Sequence, residues 1–233
     1  MNKNSYFLRG LVHGIPIALG YLSVSFGFGI RAASGGLSVL QATLISLLNL
    51  TSAGQLAGVD VIVQHGTLIE MVLVQLTINI RYSLMALSLS QKLDKGFTMP
   101  HRLLAAYGIT DEIFGVASAQ KEPLKPSYFY GMILIAVAGW VSGTFLGAAA
   151  GALLPKAVSD ALGIVLYGMF IAIIVPPARK ERGILTVVLA AVLLSVLFAK
   201  LLPMVSGGFA VIICAVIAAV IGALFFPKAE DEA

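Results

Sequence analysis

The sequence predicts an all-α fold, a polytopic membrane helix bundle of about seven spans with broken helices and an inverted-repeat layout. Three observations carry that expectation. Of 233 residues, 59% are hydrophobic and only 11% charged, far from the roughly 25% charge of soluble domains. The apolar residues fall in blocks of about 20 or more, enough to cross about 30 Å of hydrocarbon at 1.5 Å per residue. Polar and small residues interrupt these blocks at mid-length, most clearly at Asn49-Leu50-Thr51-Ser52-Ala53-Gly54-Gln55-Leu56-Ala57-Gly58. Lipid offers no hydrogen-bond partners, so such an interruption needs protein or a water-filled cavity around it, and a broken helix at the midplane points to a transport site. A small-residue packing face is the plainer reading, but Asn49 and Gln55 are too polar for packing alone.

The first block, from Tyr6 to Ala33, contains Pro16 and several glycines and is expected to be kinked or broken, because proline removes a backbone donor and crowds the preceding turn. The second, Leu37 to Val63, holds the polar interruption. The third, Leu68 to Leu89, carries Asn79 and Arg81. After the charged segment Gln91 to Arg102, the stretch Leu103 to Ala119 has Thr110-Asp111-Glu112 at its centre. It is too short and too acidic for a span and reads as a surface or re-entrant helix. Four more blocks follow: Tyr128 to Leu154, Ala161 to Val175, Ile184 to Leu202 and Gly208 to Phe226, then a charged tail. The whole chain reads as one integral membrane domain: a first half over 1–90, a cytoplasmic or re-entrant connector over 91–126 and a second half over 127–227.

In the fifth block Gly139, Gly143, Gly147 and Gly151 recur every fourth residue, a ridge on which another backbone of the bundle is expected to pack. Pro176-Pro177, just before Arg179, Lys180 and Arg182, reads as a helix stop. Cys214 lies alone in an apolar run, which leaves no intrachain disulfide and suits a packing role. No removable signal peptide is expected, since the first apolar run is long and lacks a small-residue cleavage site.

Positive residues collect at Lys92, Lys95, Arg102, Lys121 and Lys125, and again at Arg179, Lys180 and Arg182. Both regions are therefore expected in the cytoplasm, with Lys228 placing the C-terminus there too. If the second block crosses, there are seven spans and the N-terminus is outside, with Lys3 and Arg9 on the wrong side. Blocks one to three would then run opposite to blocks five to seven. If the second block is a re-entrant hairpin, there are six spans and the N-terminus is inside.

The net charge of +4 follows from these short basic segments and implies no nucleic-acid partner. The motifs of membrane-embedded hydrolases, P-loop ATPases and paired-cysteine sites are absent from the sequence. His13, His65 and His101 lack ligand spacing, so neither a metal nor a cofactor is expected. Asn49-Leu50-Thr51 matches the glycosylation sequon, but inside an apolar block it has no such use. Arg81 is the strongest single signal. A cation at mid-span costs on the order of 3 kcal/mol and must face the bundle interior with a partner. Glu70, Thr77, Arg81 and Ser88 fall near one line of the third helix, yet Glu70 lies roughly 16 Å from Arg81 along the axis, too far to pair. Asp60, Asp111, Glu112 or a substrate carboxylate are the candidates, a structural ion pair being the plainer alternative. Asp60 and Glu70, near block ends, are expected to be solvated.

Several stretches together resemble the AzlC-type permeases of the branched-chain amino-acid exporter class. They are Gly14-Ile15-Pro16-Ile17-Ala18-Leu19-Gly20-Tyr21, Ser52-Ala53-Gly54-Gln55-Leu56-Ala57, Asn79-Ile80-Arg81-Tyr82-Ser83-Leu84-Met85-Ala86-Leu87-Ser88-Leu89, Thr110-Asp111-Glu112, Ala161-Leu162-Gly163 and Met169-Phe170-Ile171-Ala172. The family often has Gly-Ser-Ala-Gln in place of Ser52 to Gln55 and His in place of Tyr82. The resemblance implies a secondary transporter of the cytoplasmic membrane that exports branched-chain amino acids with a small AzlD-type membrane subunit. From the residues themselves comes the expectation of a polar, positively charged site between broken helices. Asn49, Thr51, Ser52, Gln55, Asn79 and Arg81 are its candidate substrate-binding residues, and Asp111 and Glu112 its candidates for ion coupling. A membrane-embedded enzyme and a scaffold or channel subunit remain as competing readings.

Overall fold

The structure is a computed structural model that describes residues 3–151, 171 and 174–226. The described residues are overwhelmingly helical. In chain order they form α1 (Lys3–Ser34), α2 (Val39–Leu48), α3 (Ser52–Val63), α4 (Leu68–Ser90), α5 (Met99–Tyr107), α6 (Asp111–Ser118), α7 (Pro126–Gly151), α8 (Arg182–Leu201) and α9 (Gly207–Phe225). Five of them, α1, α4, α7, α8 and α9, are long and apolar enough to cross a membrane. Most of the expected sixth block, and the tail from Lys228 onward, lie outside the described residues. Contacts divide the chain into one unit of residues 1–56 and 79–166 and a second of 57–78 and 167–233.

The first unit is built on α1 and α7. α1 is one continuous helix of 32 residues that contains Pro16, so the expected break in the first block is corrected. The glycine ridge of α7 lies directly on this helix. A Cβ on Gly139 would stand 2.4 Å from Ala18 O, on Gly143 2.4 Å from Leu22 O, and on Gly147 2.0 Å from Phe26 O. α1 answers with glycines of its own: a Cβ on Gly10 would stand 2.0 Å from Tyr128 O and on Gly29 2.3 Å from Thr144 O. Small residues on both faces let the backbones touch, which is how apolar helices gain packing energy without a hydrophobic drive.

These contacts also fix direction. Gly10 meets Tyr128, Ala18 meets Gly139, Leu22 meets Gly143 and Phe26 meets Gly147, so both sequences advance the same way and α1 and α7 are parallel. The end of the pair where both helices begin also holds the connector. There Arg9 reaches Gln120 Oε1 at 3.1 Å and Glu122 at 3.6 Å, and Lys125 Nζ sits 4.5 Å from the centre of the Tyr6 ring. Lys92 donates to Ser118 O, and Leu93 bridges to Leu124.

Parallel α1 and α7 require an odd number of crossings between them. α4 supplies one. α5 and α6 supply none, because both leave and return to the connector end: His101 pairs with Tyr130 near the start of α7, and Gln120 pairs with Arg9. Their turn reaches inward to Ile133, which a Cβ on Gly108 would strike at 2.4 Å, and to Tyr21. α5 and α6 thus pack as a helical hairpin that leaves and returns to the connector end. α2 and α3 have 10 and 12 residues, about 15 and 18 Å, each too short to cross. The parallel course of α1 and α7 differs from the opposed one expected for the first and fifth blocks if the second block crosses, and suits the alternative in which that block is a re-entrant hairpin.

α2 begins where α1 ends. Gly36, at φ +91, turns the chain, and Ser38 and Gln41 form a reciprocal capping box. In the second unit Glu70 is buried rather than solvated as expected. Its carboxylate accepts from the Ser206 hydroxyl and, at 3.0 Å, from Gly208 N–H, an anion at the N-terminus of α9 where exposed donors and the helix dipole favour it. Residues 174–180 are helical and Glu181 is the interruption, so the stop expected at Pro176-Pro177 falls a few residues later. Proline lacks the donor but its carbonyl still accepts: Pro177 O takes Glu181 N–H at 3.0 Å.

Candidate functional site

Two helix breaks in the first unit lie close together. The first, Asn49 to Thr51, separates α2 from α3. Asn49 closes α2 by donating its N–H to Ile45 O, Thr51 N–H bonds Asn49 O, and α3 starts at Ser52 with Gln55 N–H on Thr51 O at 2.7 Å. The second separates α5 from α6. There Thr110 caps α6 by accepting from Ile113 N–H, with Asp111 and Glu112 in the first turn, where the dipole favours acids. The turns touch directly, since Tyr107 donates its hydroxyl to Leu47 O.

Arg81 of α4 joins the two breaks. Its Nη1 lies 2.8 Å from Asp111 Oδ2. Nη2 donates to the Tyr82 hydroxyl at 3.3 Å, that hydroxyl donates to Thr51 Oγ1 at 3.3 Å, and Thr51 donates to Asn79 Oδ1 at 2.7 Å. The guanidinium carbon also stands 5.0 Å from the Tyr82 ring centre. Arg81 and Asp111 side chains remain 40% and 37% exposed, so the pair is reachable, whereas Arg81 Nε is buried with no hydrogen-bond partner. Four of the expected residues, Thr51, Asn79, Arg81 and Asp111, are thus brought together. Asn49 and Ser52 bracket Thr51 in the break.

Gln55 belongs to a second, buried network. Its Nε2 donates to Ser46 Oγ at 2.9 Å, its Oε1 accepts from Trp140 Nε1 at 2.7 Å, and Ser46 pairs with Thr144 at 2.7 Å. Both ends of the amide are committed, and the network anchors the α2–α3 hairpin to α7. Glu112 is turned away from Arg81. The Tyr21 hydroxyl lies 2.5 Å from Glu112 Oε2 and 2.6 Å from Thr110 Oγ1, and the Tyr21 ring stacks edge-on with Trp140 at 5.1 Å. The adjacent acids of α6 are therefore held by two different spans, Asp111 by α4 and Glu112 by α1. Sequence reasoning missed Tyr21, Tyr82 and Trp140. Tyr21 and Tyr82 stood in the stretches that carry the family resemblance, which was the available signal.

The family profile described as "AzlC protein" matches residues 16–154, a segment that includes both breaks, Arg81 and Asp111. The chain belongs to the AzlC family. Among similar AzlC-family proteins, an uncharacterized membrane protein of Archaeoglobus fulgidus is 32% identical over 78% of this chain and 80% of its own. The inner membrane protein YgaZ of Escherichia coli K12 is 27% identical over 97% of this chain and 94% of its own. The branched-chain amino acid transport protein AzlC of Bacillus subtilis is 24% identical over 78% and 73%. No solved structure matches. Membership in the AzlC family makes this an integral membrane protein and points to transport rather than catalysis.

Proposed function

We propose that this protein is a secondary transporter that exports branched-chain amino acids, or close analogues, across the cytoplasmic membrane together with a small AzlD-type membrane subunit. One observation carries the reading: a reachable arginine, paired at 2.8 Å with an acid, stands where two broken helices meet. A charge at such a position is costly and needs a reason, and sites between interrupted helices are where secondary transporters hold their substrates. The substrate class comes from the name of the Bacillus subtilis relative and from the resemblance of the sequence.

In this reading Arg81 holds the substrate carboxylate through two parallel donors. Asn79 and Thr51 orient it, and the backbone from Asn49 through Ser52 offers polar groups freed by the break. Gln55 holds the hairpin in place from behind. Asp111 and Glu112 couple substrate movement to an ion, and the helices around them rock to open one side at a time. Counterflow in proteoliposomes, with and without the partner subunit, tests it. Saturable exchange of labelled leucine, valine or isoleucine is expected. Carrier behaviour towards another solute only would overturn the substrate, and no saturable exchange of any solute would favour a scaffold or channel.

A further inference from the structure

We infer that the Arg81–Asp111 pair is opened by the substrate, whose ammonium is received by Asp111 while its carboxylate takes the Nε edge of Arg81, so that the site selects molecules carrying both charges over those carrying either alone. This rests on the transport reading above and adds to it the recognition of the amino group. The reasoning starts from what Arg81 already holds. One Nη is on Asp111 and the other on Tyr82, but Nε, a donor pointing along its own edge of the guanidinium, has no partner. A buried donor left unmade costs about 1–3 kcal/mol, and a carboxylate bound along that edge would satisfy it with the fork geometry arginine favours.

Asp111 is suited to the second contact. It projects from the first turn of α6 at the hairpin tip, its side chain is 37% exposed, and its sequence neighbour Glu112 is already engaged by Tyr21. A lone carboxylate arriving at Arg81 would bring a second negative charge beside Asp111 and be repelled. A lone amine would find Arg81 beside Asp111 and be repelled in turn. Only a zwitterion presents an anion to the cation and a cation to the anion, leaving net charge at the site unchanged, and like-charge juxtaposition against the others is how sites reject them. Leu50 beside Thr51, and Ile109 and Ile113 beside the acids, belong to one buried apolar cluster on which both breaks are seated.

The test uses the full chain purified in nanodiscs and measures equilibrium binding of leucine, of 4-methylpentanoate, which lacks the ammonium, and of 3-methylbutylamine, which lacks the carboxylate. The parent should bind leucine at least tenfold more tightly than either analogue. Asp111→Asn should lose at least tenfold for leucine while holding 4-methylpentanoate as well as the parent does or better, and Asp111→Glu should recover most of the preference. A parent that binds 4-methylpentanoate as tightly as leucine overturns the inference and leaves the transport reading standing. So does an Asp111→Asn protein that loses both by the same factor. Should Asp111→Asn fail to fold, the parent's discrimination and the Asp111→Glu profile decide. A parent that binds none of the three overturns the inference and the substrate reading together.

Discussion

Trp140 of α7 donates its indole N–H to Gln55 Oε1 at 2.7 Å, and Gln55 donates its own amide N–H to Ser46 Oγ. With the Ser46–Thr144 pair, this bond ties α2 and α3 to α7. Gln55 is 1% exposed and Trp140 2%, so water cannot replace either partner. Gln55→Ala would leave the Trp140 indole N–H without its partner, at a cost of about 1–3 kcal/mol for an unmade buried bond. The expected result is a lower apparent melting temperature in detergent, with Trp140→Phe relieving part of the defect of Gln55→Ala. A Gln55→Ala protein as stable as the parent, with only its half-saturation concentration for leucine raised, would make Gln55 a substrate ligand instead.

Glycine substitutions should separate sharply by position. Gly147→Ala would place a methyl group 2.0 Å from Phe26 O, a backbone atom that cannot swing aside, whereas a Cβ on Gly20 meets nothing within 4 Å. Overpacking of this kind costs about 1–3 kcal/mol or more. Gly147→Ala should reduce the yield of monodisperse protein, and Gly20→Ala should leave it unchanged. Equal yields from both would mean that α1 and α7 do not approach as closely as the structure has them.

That ridge was legible in the sequence because spacing by four is a property of one helix and needs no partner to be seen. The need of Arg81 for an acid was legible for a similar reason: a mid-span charge demands compensation wherever it comes from, and Asp111 was among the few acids available. Direction was not legible. Hydropathy counts apolar residues without recording which way a helix runs, so the block Leu37 to Val63 does not reveal the course of the two short helices that its polar break separates. Pro16 suggested a break that α1 does not have. Glu70 looked interfacial because its partner, the start of α9, is 136 residues away in sequence. The link of Gln55 to Trp140 was not legible because nothing in its neighbourhood reveals that indole, and Tyr21 passed as one more apolar residue because its hydroxyl becomes meaningful only beside Glu112.

Arg81→Lys keeps the positive charge and removes the fork. The lysine ammonium is a point charge on a flexible stem and can approach Asp111, but it cannot hold Tyr82 while offering a substrate carboxylate two parallel donors. Transport should fall by at least about tenfold, equivalent to about 1.4 kcal/mol, while size-exclusion behaviour and melting temperature stay near those of the parent. Parental transport in Arg81→Lys would reduce the residue to a structural ion-pair partner and move the substrate site elsewhere.

The parallel course of α1 and α7 leads to a prediction about sidedness. Because α1 begins at the connector end, with Arg9 against Gln120 and Glu122 and Lys125 over Tyr6, Lys3 and Arg9 join Lys92, Lys95, Arg102, Lys121 and Lys125 on one face of the membrane. The positive-inside rule then assigns that whole face to the cytoplasm and removes the misplaced charges that seven spans would entail. The buried Cys214 is the only cysteine of the chain, so Cys214→Ser gives a clean background for labelling. In that background Ser5→Cys should resist a membrane-impermeant maleimide in intact cells and react in inverted vesicles. Ser34→Cys, exposed at the far end of α1, should do the reverse. Labelling of Ser5→Cys from outside, with Ser34→Cys protected, would place the N-terminus outside. The basic connector would then lie outside with it, in conflict with the charge rule, or the parallel packing of α1 on α7 would have to be given up.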